Sequence, residues 1–176
     1  MKNQKGITLI ALVVTIIVLL ILAGISIAML TGENGIIRNA QEAATYNAYA
    51  GAEEQVKLAY MAVRTQMMVN TVADGTYDGR LAANILELAK VVSRDLNDKT
   101  KWKVSYKAGS SSADAYIYIK YTDTKIDKGI IDGTTGSEVP AEEGQVNYVI
   151  TVKDQTASLT VDTGAEVTDG TAVNSL

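Results

Sequence analysis

The chain contains no cysteine and no histidine among its 176 residues. Without cysteine there is no disulfide framework, no thiolate metal site and no cysteine nucleophile. Without histidine, the commonest general base and the commonest neutral metal ligand are missing as well. Any enzyme built on this sequence would depend on carboxylates, lysines, tyrosines or hydroxyls alone.

Positive charge is also sparse: Lys and Arg number 16 against 20 Asp and Glu, for a net charge of −4. Neutralising phosphates dominates the affinity for nucleic acid, and an acidic chain without a basic stripe is poorly suited to it. We therefore expect no nucleic-acid partner.

One segment has no charge at all, from Ile7 to Leu30. As a helix these residues would extend about 36 Å, enough to cross the ~30 Å hydrocarbon core of a bilayer. Lys2 and Lys5 precede the segment, and the first acidic residue is Glu33. The positive-inside bias therefore places Met1 in the cytoplasm and everything after Leu30 outside.

Two interpretations of this segment are ordinary. In one it is a secretory signal cut after Ala28, since Ser26 and Ala28 supply the small residues of a cleavage site. An apolar region of about 7–15 residues is usual in such signals, whereas this run continues through the cut to Leu30. In the other interpretation it is a permanent membrane anchor.

A third interpretation rests on Lys5-Gly6 meeting Ile7-Thr8-Leu9-Ile10 directly. This junction resembles the leader and cleavage site of type IV pilins and of the pilin-like subunits of type II secretion. The resemblance covers about the first 30 residues. It implies that a membrane peptidase cuts between Gly6 and Ile7 and can methylate the new amine of Ile7, while the apolar helix stays on the mature protein.

The same resemblance implies an assembly role for the start of that helix. The residues concerned are Ile7, Thr8, Leu9, Ile10, Ala11 and Thr15. Its implied partners are copies of the same chain, a prepilin peptidase and the assembly machinery of the cytoplasmic membrane. The chain would lie in that membrane before assembly, with its N-terminus inside, and afterwards in an extracellular filament.

Ala11 departs from the pattern of this family. Such subunits usually carry a glutamate at the fifth residue after the cut, which is position 11 here, to pair with the amine of a neighbour. A buried ammonium without a counter-charge is costly. The amine would have to rely on the hydroxyls of Thr8 and Thr15 or on main-chain carbonyls.

Beyond the apolar segment, Thr31-Gly32-Glu33-Asn34-Gly35 predicts a break in the helix. Small or apolar residues then recur every three or four positions from Ile37 to Met67, which predicts a long amphipathic helix. Glu53 and Lys57 form a favourable pair four residues apart. A shorter helix is predicted from Arg80 to Arg94, capped by Asp78 and with Leu81 on its apolar face.

The hydrophobic period then changes from 3.6 to 2. Four strands are predicted, at residues 102–106, 115–121, 146–152 and 157–161, with a Gly- and Ser-rich hairpin loop at 107–114 and a long loop at 122–145. The expected fold is α+β: a long N-terminal helix, apolar in its first half and amphipathic in its second, packed on a four-stranded antiparallel sheet. The pilin resemblance implies the same fold.

The predicted organisation has four parts: a leader at 1–6, a membrane or filament-core helix at 7–31, a globular α+β domain at 32–162 and a flexible tail at 163–176. Asp123, Asp127 and Asp132 share one loop, but their spacing does not match a calcium loop. Solvated loop acids are the expectation. We predict no catalytic residue, cofactor or metal.

The sequence therefore favours a structural subunit of a type IV pilus or related filament, and not an enzyme. The alternative is a membrane-anchored or secreted extracellular binding module that does not polymerise.

Overall fold

The computed structural model describes residues 4–32, 35–71, 77–128, 130, 144–162 and 170–173. Three helices and five strands lie in these ranges: α1 Gln4–Thr31, α2 Ile36–Thr71, α3 Ala82–Asp95, β1 Trp102–Lys107, β2 Ala115–Thr122, β3 Gln145–Lys153, β4 Thr156–Asp162 and β5 Thr171–Ala172. The chain divides into two compact units, residues 1–43 and 44–176. Each is described by itself.

The first unit holds α1 and the start of α2. The predicted helix break is confirmed, because α1 ends at Thr31 and α2 begins at Ile36. At Gly32 an added Cβ would lie 2.6 Å from the carbonyl oxygen of Ala28, and at Gly35 it would lie 2.5 Å from that of Leu30. A side chain at either position would collide with a backbone carbonyl oxygen, so both positions require glycine.

The second unit is built on an antiparallel sheet with the strand order β4-β3-β2-β1-β5. Along β2 the side chains alternate between buried and more exposed, as expected for a sheet with one covered face. The predicted α+β fold is confirmed, and the four predicted strands correspond to β1–β4. The structure adds β5, whose two residues pair with Ser105 and Tyr106.

Strand β5 lies within the predicted tail at 163–176, of which the structure describes residues 170–173. Two residues are too few to show a period in the sequence. The strand exists because β1 offers it a free edge, where Val173 N–H also donates to the carbonyl of Val104 at 3.0 Å.

Helices α2 and α3 cover one face of this sheet. From Ala52 onward the predicted stripe of α2 is confirmed, because Val56, Ala59 and Val63 are completely buried. The Glu53–Lys57 ion pair also forms. The members of the core that come from β1–β3 are Trp102, Val104, Ala115, Ile117, Ile119, Tyr121, Val146, Tyr148, Ile150 and Val152.

The predicted cap of α3 is wrong. Its N-cap residue is Leu81, which is 54% exposed and makes no side-chain cap hydrogen bond. Asp78 accepts instead from the backbone N–H of Arg80 at 2.9 Å and pairs with the Arg80 guanidinium. Because these contacts occupy the Asp78 carboxylate, it cannot reach the first turn of α3.

Candidate functional site

The candidate site is helix α1, which contains every residue singled out for processing or assembly. From Leu9 to Leu30 its large apolar side chains are all exposed, between 45% and 69%. By length and composition this is the one helical stretch in the described chain fit to cross a membrane. Its window has a mean hydropathy of 3.1 and no buried residue. Such a surface requires lipid or protein around it.

The hydroxyl groups of α1 are compatible with an apolar environment. Thr15 donates to the carbonyl of Leu12 at 2.8 Å, Ser26 to that of Leu22 at 2.8 Å, and Thr31 to that of Ile27 at 2.9 Å. An unpaired donor in hydrocarbon costs several kcal/mol, about 4–8 on the cyclohexane scale. These internal bonds remove that cost for all three hydroxyls.

Gly6, Ile7 and Thr8 lie in the first turns of α1, and the structure describes side chains from Leu9 onward. Ala11 and Thr15 stand four residues apart, which places them on one helix face. The Thr15 oxygen has its proton committed to Leu12, so it offers only lone pairs to an approaching ammonium. It can therefore accept from an amine, which is the role predicted for it in place of an acid at position 11.

An apolar stripe on the exposed side of α2 was not predicted from the sequence. Leu58, Met61, Met68 and Val69 are between 56% and 68% exposed. They lie about half a turn away from the buried stripe through Val56 at 100° per residue. Large apolar residues occur on both sides of this helix, so their spacing in the sequence does not reveal which side packs on the sheet.

A second group of polar residues anchors the start of the loop after β2. The Asp123 carboxylate accepts from the Tyr121 hydroxyl at 2.9 Å, from Lys101 Nζ at 3.1 Å and from the backbone N–H of Lys125 at 3.0 Å. Asp123 is only 9% exposed. The expectation of a solvated acid is wrong here, because this carboxylate organises the turn.

The electrostatics of this cluster follow from its contacts. Burial by itself raises the pKa of Asp123, but the Lys125 N–H, the Lys101 ammonium and the Tyr121 hydroxyl together hold that pKa below its usual value. Burial, aided by the neighbouring carboxylate, raises the pKa of Tyr121 to about 12. The ring centroids of Trp102 and Tyr121 lie 4.4 Å apart.

Metal binding finds no support in this cluster. Among the described residues no three carboxylates come together in a group able to hold an ion. Asp132, the third acid considered for calcium, lies outside the described residues. The contacts of Asp123 are those of a structural anchor.

Comparison with known proteins places α1 in a class. Residues 1–27 match the family model of the prokaryotic N-terminal methylation motif. The motif is the prepilin-type signal of type IV pilins. No curated protein and no solved structure matches the chain. The match therefore identifies the N-terminal signal, and the globular part is described by its fold alone.

Proposed function

We propose that this protein is a structural subunit of a type IV pilus or a related pilus-like filament. The observation that supports this most strongly is the overlap of the methylation motif with the exposed apolar surface of α1. The motif covers residues 1–27, and the exposed apolar surface runs from Leu9 to Leu30. Cleavage of a leader that ends just before an apolar helix removes the positive charges of the leader and leaves the helix on the protein.

In this proposal a prepilin peptidase cuts between Gly6 and Ile7 and methylates the amine of Ile7. Removal of residues 1–6 takes away Lys2 and Lys5, so the new terminus carries the only charge before Glu33. The mature α1 then leaves the membrane to pack among copies of itself, replacing lipid contacts with protein contacts. The globular unit faces solvent outside the cell.

Mass spectrometry of the mature N-terminus tests the cleavage. A start at Ile7, with or without a methyl group, supports the proposal, whereas a start at Met29 or an intact Met1 contradicts it. Gly6→Leu should block processing. Gly24→Leu is the matched control, because a Cβ at Gly24 would meet nothing within 4 Å. If Gly6→Leu is processed as well as Gly24→Leu, the cleavage proposal is wrong.

Assembly can be tested through the exposed stripe of α2. Met61→Glu and Leu58→Glu place a charge on side chains that are 56% and 65% exposed, so folding of the unit should survive. If neighbouring subunits cover the stripe, filaments in the sheared surface fraction should decrease strongly under electron microscopy. Ser112→Glu, on the exposed loop before β2, adds the same charge and should have no effect.

Ala11 offers a test that depends on the missing acid. If the amine of Ile7 is buried without a counter-charge in the filament, Ala11→Glu should increase the amount of assembled filament. Ala11→Gln has nearly the same shape and no charge, and it should give little or no increase. Equal filament yields from both variants and the wild type would mean that the amine already has adequate partners.

A further inference from the structure

Strand β4 is one edge of the sheet in the described part of the chain. Its seven residues pair with β3 in an unbroken register, from Lys153 opposite Thr156 to Asn147 opposite Asp162. Its other side carries no described strand. An edge of this length presents a row of backbone donors and acceptors that another strand can use.

The groups that face outward can be assigned. A two-residue turn closes the β3–β4 hairpin at the pair Lys153 and Thr156, so Thr156, Ser158 and Thr160 exchange hydrogen bonds with β3. The alternate residues Ala157, Leu159 and Val161 therefore direct their backbone groups away from β3. The Tyr60 hydroxyl donates to the Ala157 carbonyl at 2.8 Å, which agrees with this assignment and leaves that carbonyl one lone pair for another strand.

Apart from the Tyr60 contact at Ala157, this edge lacks the features by which sheet edges usually avoid pairing. From Thr156 to Val161 the sequence is TASLTV, which contains no charged residue and no proline. The register contains no bulge. Natural edge strands are commonly blunted by such devices, so their absence over six consecutive residues favours pairing.

The side chains of β4 also leave the core incomplete at this edge. Ala157, Leu159 and Val161 pack against the core but are only partly buried. A further strand beside β4 would cover their remaining apolar surface. That strand must itself be apolar on the core side and polar on the other side.

We propose that β4 pairs antiparallel with β4 of a second copy of this chain, with Leu159 opposite Leu159. In this register Ala157 of each copy lies opposite Val161 of the other, so the outward backbone groups of these residues meet as hydrogen-bonded pairs. The half-buried apolar side chains meet on the core side. Ser158 and Thr160 meet on the polar side.

Charge supports the same register. Asp162 is the only charged residue of β4, and antiparallel pairing places the two copies of it at opposite ends of the new ladder. Each then lies opposite Thr156 of the other copy, in line with Lys153, which is the β3 neighbour of Thr156. The register therefore does not bring two positions of like charge opposite each other.

This pairing goes beyond the proposed function, because it needs neither cleavage at Gly6 nor polymerisation through α1. It therefore has a test of its own on the full chain in membranes. The natural chain has no cysteine, so introduced cysteines report without background. One tagged copy carries Ser158→Cys and a differently tagged copy carries Thr160→Cys.

These two positions form a non-hydrogen-bonded antiparallel pair in the proposed register, where Cα atoms are about 4.5 Å apart. That separation suits a disulfide. After mild oxidation we expect a disulfide-linked dimer carrying both tags, several-fold more abundant than from a control pair. The control is Lys103→Cys with Thr122→Cys, two exposed positions on inner strands. Equal yields from the two pairs would overturn the proposal.

A charge reversal provides the second measurement. Thr156→Glu should reduce the cross-link between Ser158→Cys and Thr160→Cys, because in the proposed register Thr156 lies directly opposite Asp162 of the other copy and the variant places a like charge there. Adding Asp162→Lys to the same chains should restore it. If Thr156→Glu leaves the yield unchanged, the register is wrong. Processing at Gly6, followed by mass spectrometry in the same samples, shows whether the proposed function fails separately.

Discussion

Two tyrosines of the second unit allow the same chemical change to be made with opposite expected results. Tyr121→Phe removes a hydroxyl that donates to the buried Asp123 at 2.9 Å. Tyr148→Phe removes a hydroxyl that is buried and has no hydrogen-bond partner among the described residues. Both rings stay in the core, at 6% and 1% exposure, so packing is nearly constant in the comparison.

The magnitudes follow from what each hydroxyl does. A hydrogen bond to a charged group contributes about 1.5–3 kcal/mol, and Asp123 keeps two other donors, so Tyr121→Phe should lower the free energy of unfolding by about 1.5 kcal/mol. A buried hydroxyl without a partner costs about 1–3 kcal/mol. Tyr148→Phe should therefore raise the free energy of unfolding, by up to about 1 kcal/mol.

Urea titration of the full chain in mild detergent measures both changes. Trp102 is the only tryptophan and is 3% exposed, so its fluorescence reports unfolding of the second unit. The midpoint should move to lower urea for Tyr121→Phe and to higher urea for Tyr148→Phe, with the slope unchanged. Equal destabilisation by both variants would refute the reasoning, because it would mean that the partners of the hydroxyls do not matter.

Further predictions concern the same unit. As the pH falls below about 4, the unfolded chain takes up protons that Asp123 still resists, so stability should decline there. As the pH rises from about 10 towards 12, Tyr121 ionises only in the unfolded chain, so stability should decline again. Denaturation midpoints across pH test both, and Tyr121→Phe should lack part of the alkaline loss. Gly79→Ala should lower the melting temperature, because its Cβ would lie 2.9 Å from a Val152 methyl group. In contrast, Gly51→Ala, on an open helix face, should stabilise by about 0.5–1 kcal/mol in a thermal melt. Arg80→Met should lower the urea midpoint, since it leaves Asp78 and Asp154 without their shared cation. A shift no larger than that caused by Arg94→Met, which removes the exposed pair with Asp95, would contradict this.

The contrast between Asp78 and α3 shows where local patterns fail. The sequence places an acid just before an apolar stripe, which is the usual signature of a helix cap. The carboxylate is used by Arg80 instead, whose guanidinium also pairs with Asp154 at 2.6 Å in the β3–β4 turn. Arg80 is only two residues from Asp78, but Asp154, the second partner of Arg80, lies 74 positions further along the chain, and no local window contains that pair.

Periodicity and charge account for the features of this protein that the sequence determined by itself. The uncharged run from Ile7 to Leu30, the N-terminal methylation motif, the buried stripe of α2 and the alternation of β1–β4 are all properties of neighbouring residues. They specify an apolar helix and an α+β unit because hydrophobic spacing and charge act over a few positions.

The tertiary structure decided what depends on residues far apart in the chain. It placed the acid of Asp123 in a buried cluster with Lys101, added β5 to the free edge of β1, and left β4 as the opposite edge. It also selected which side of α2 stays exposed. Each of these outcomes is fixed by which surfaces meet, and the order of strands in a sheet cannot be read from the spacing within one strand.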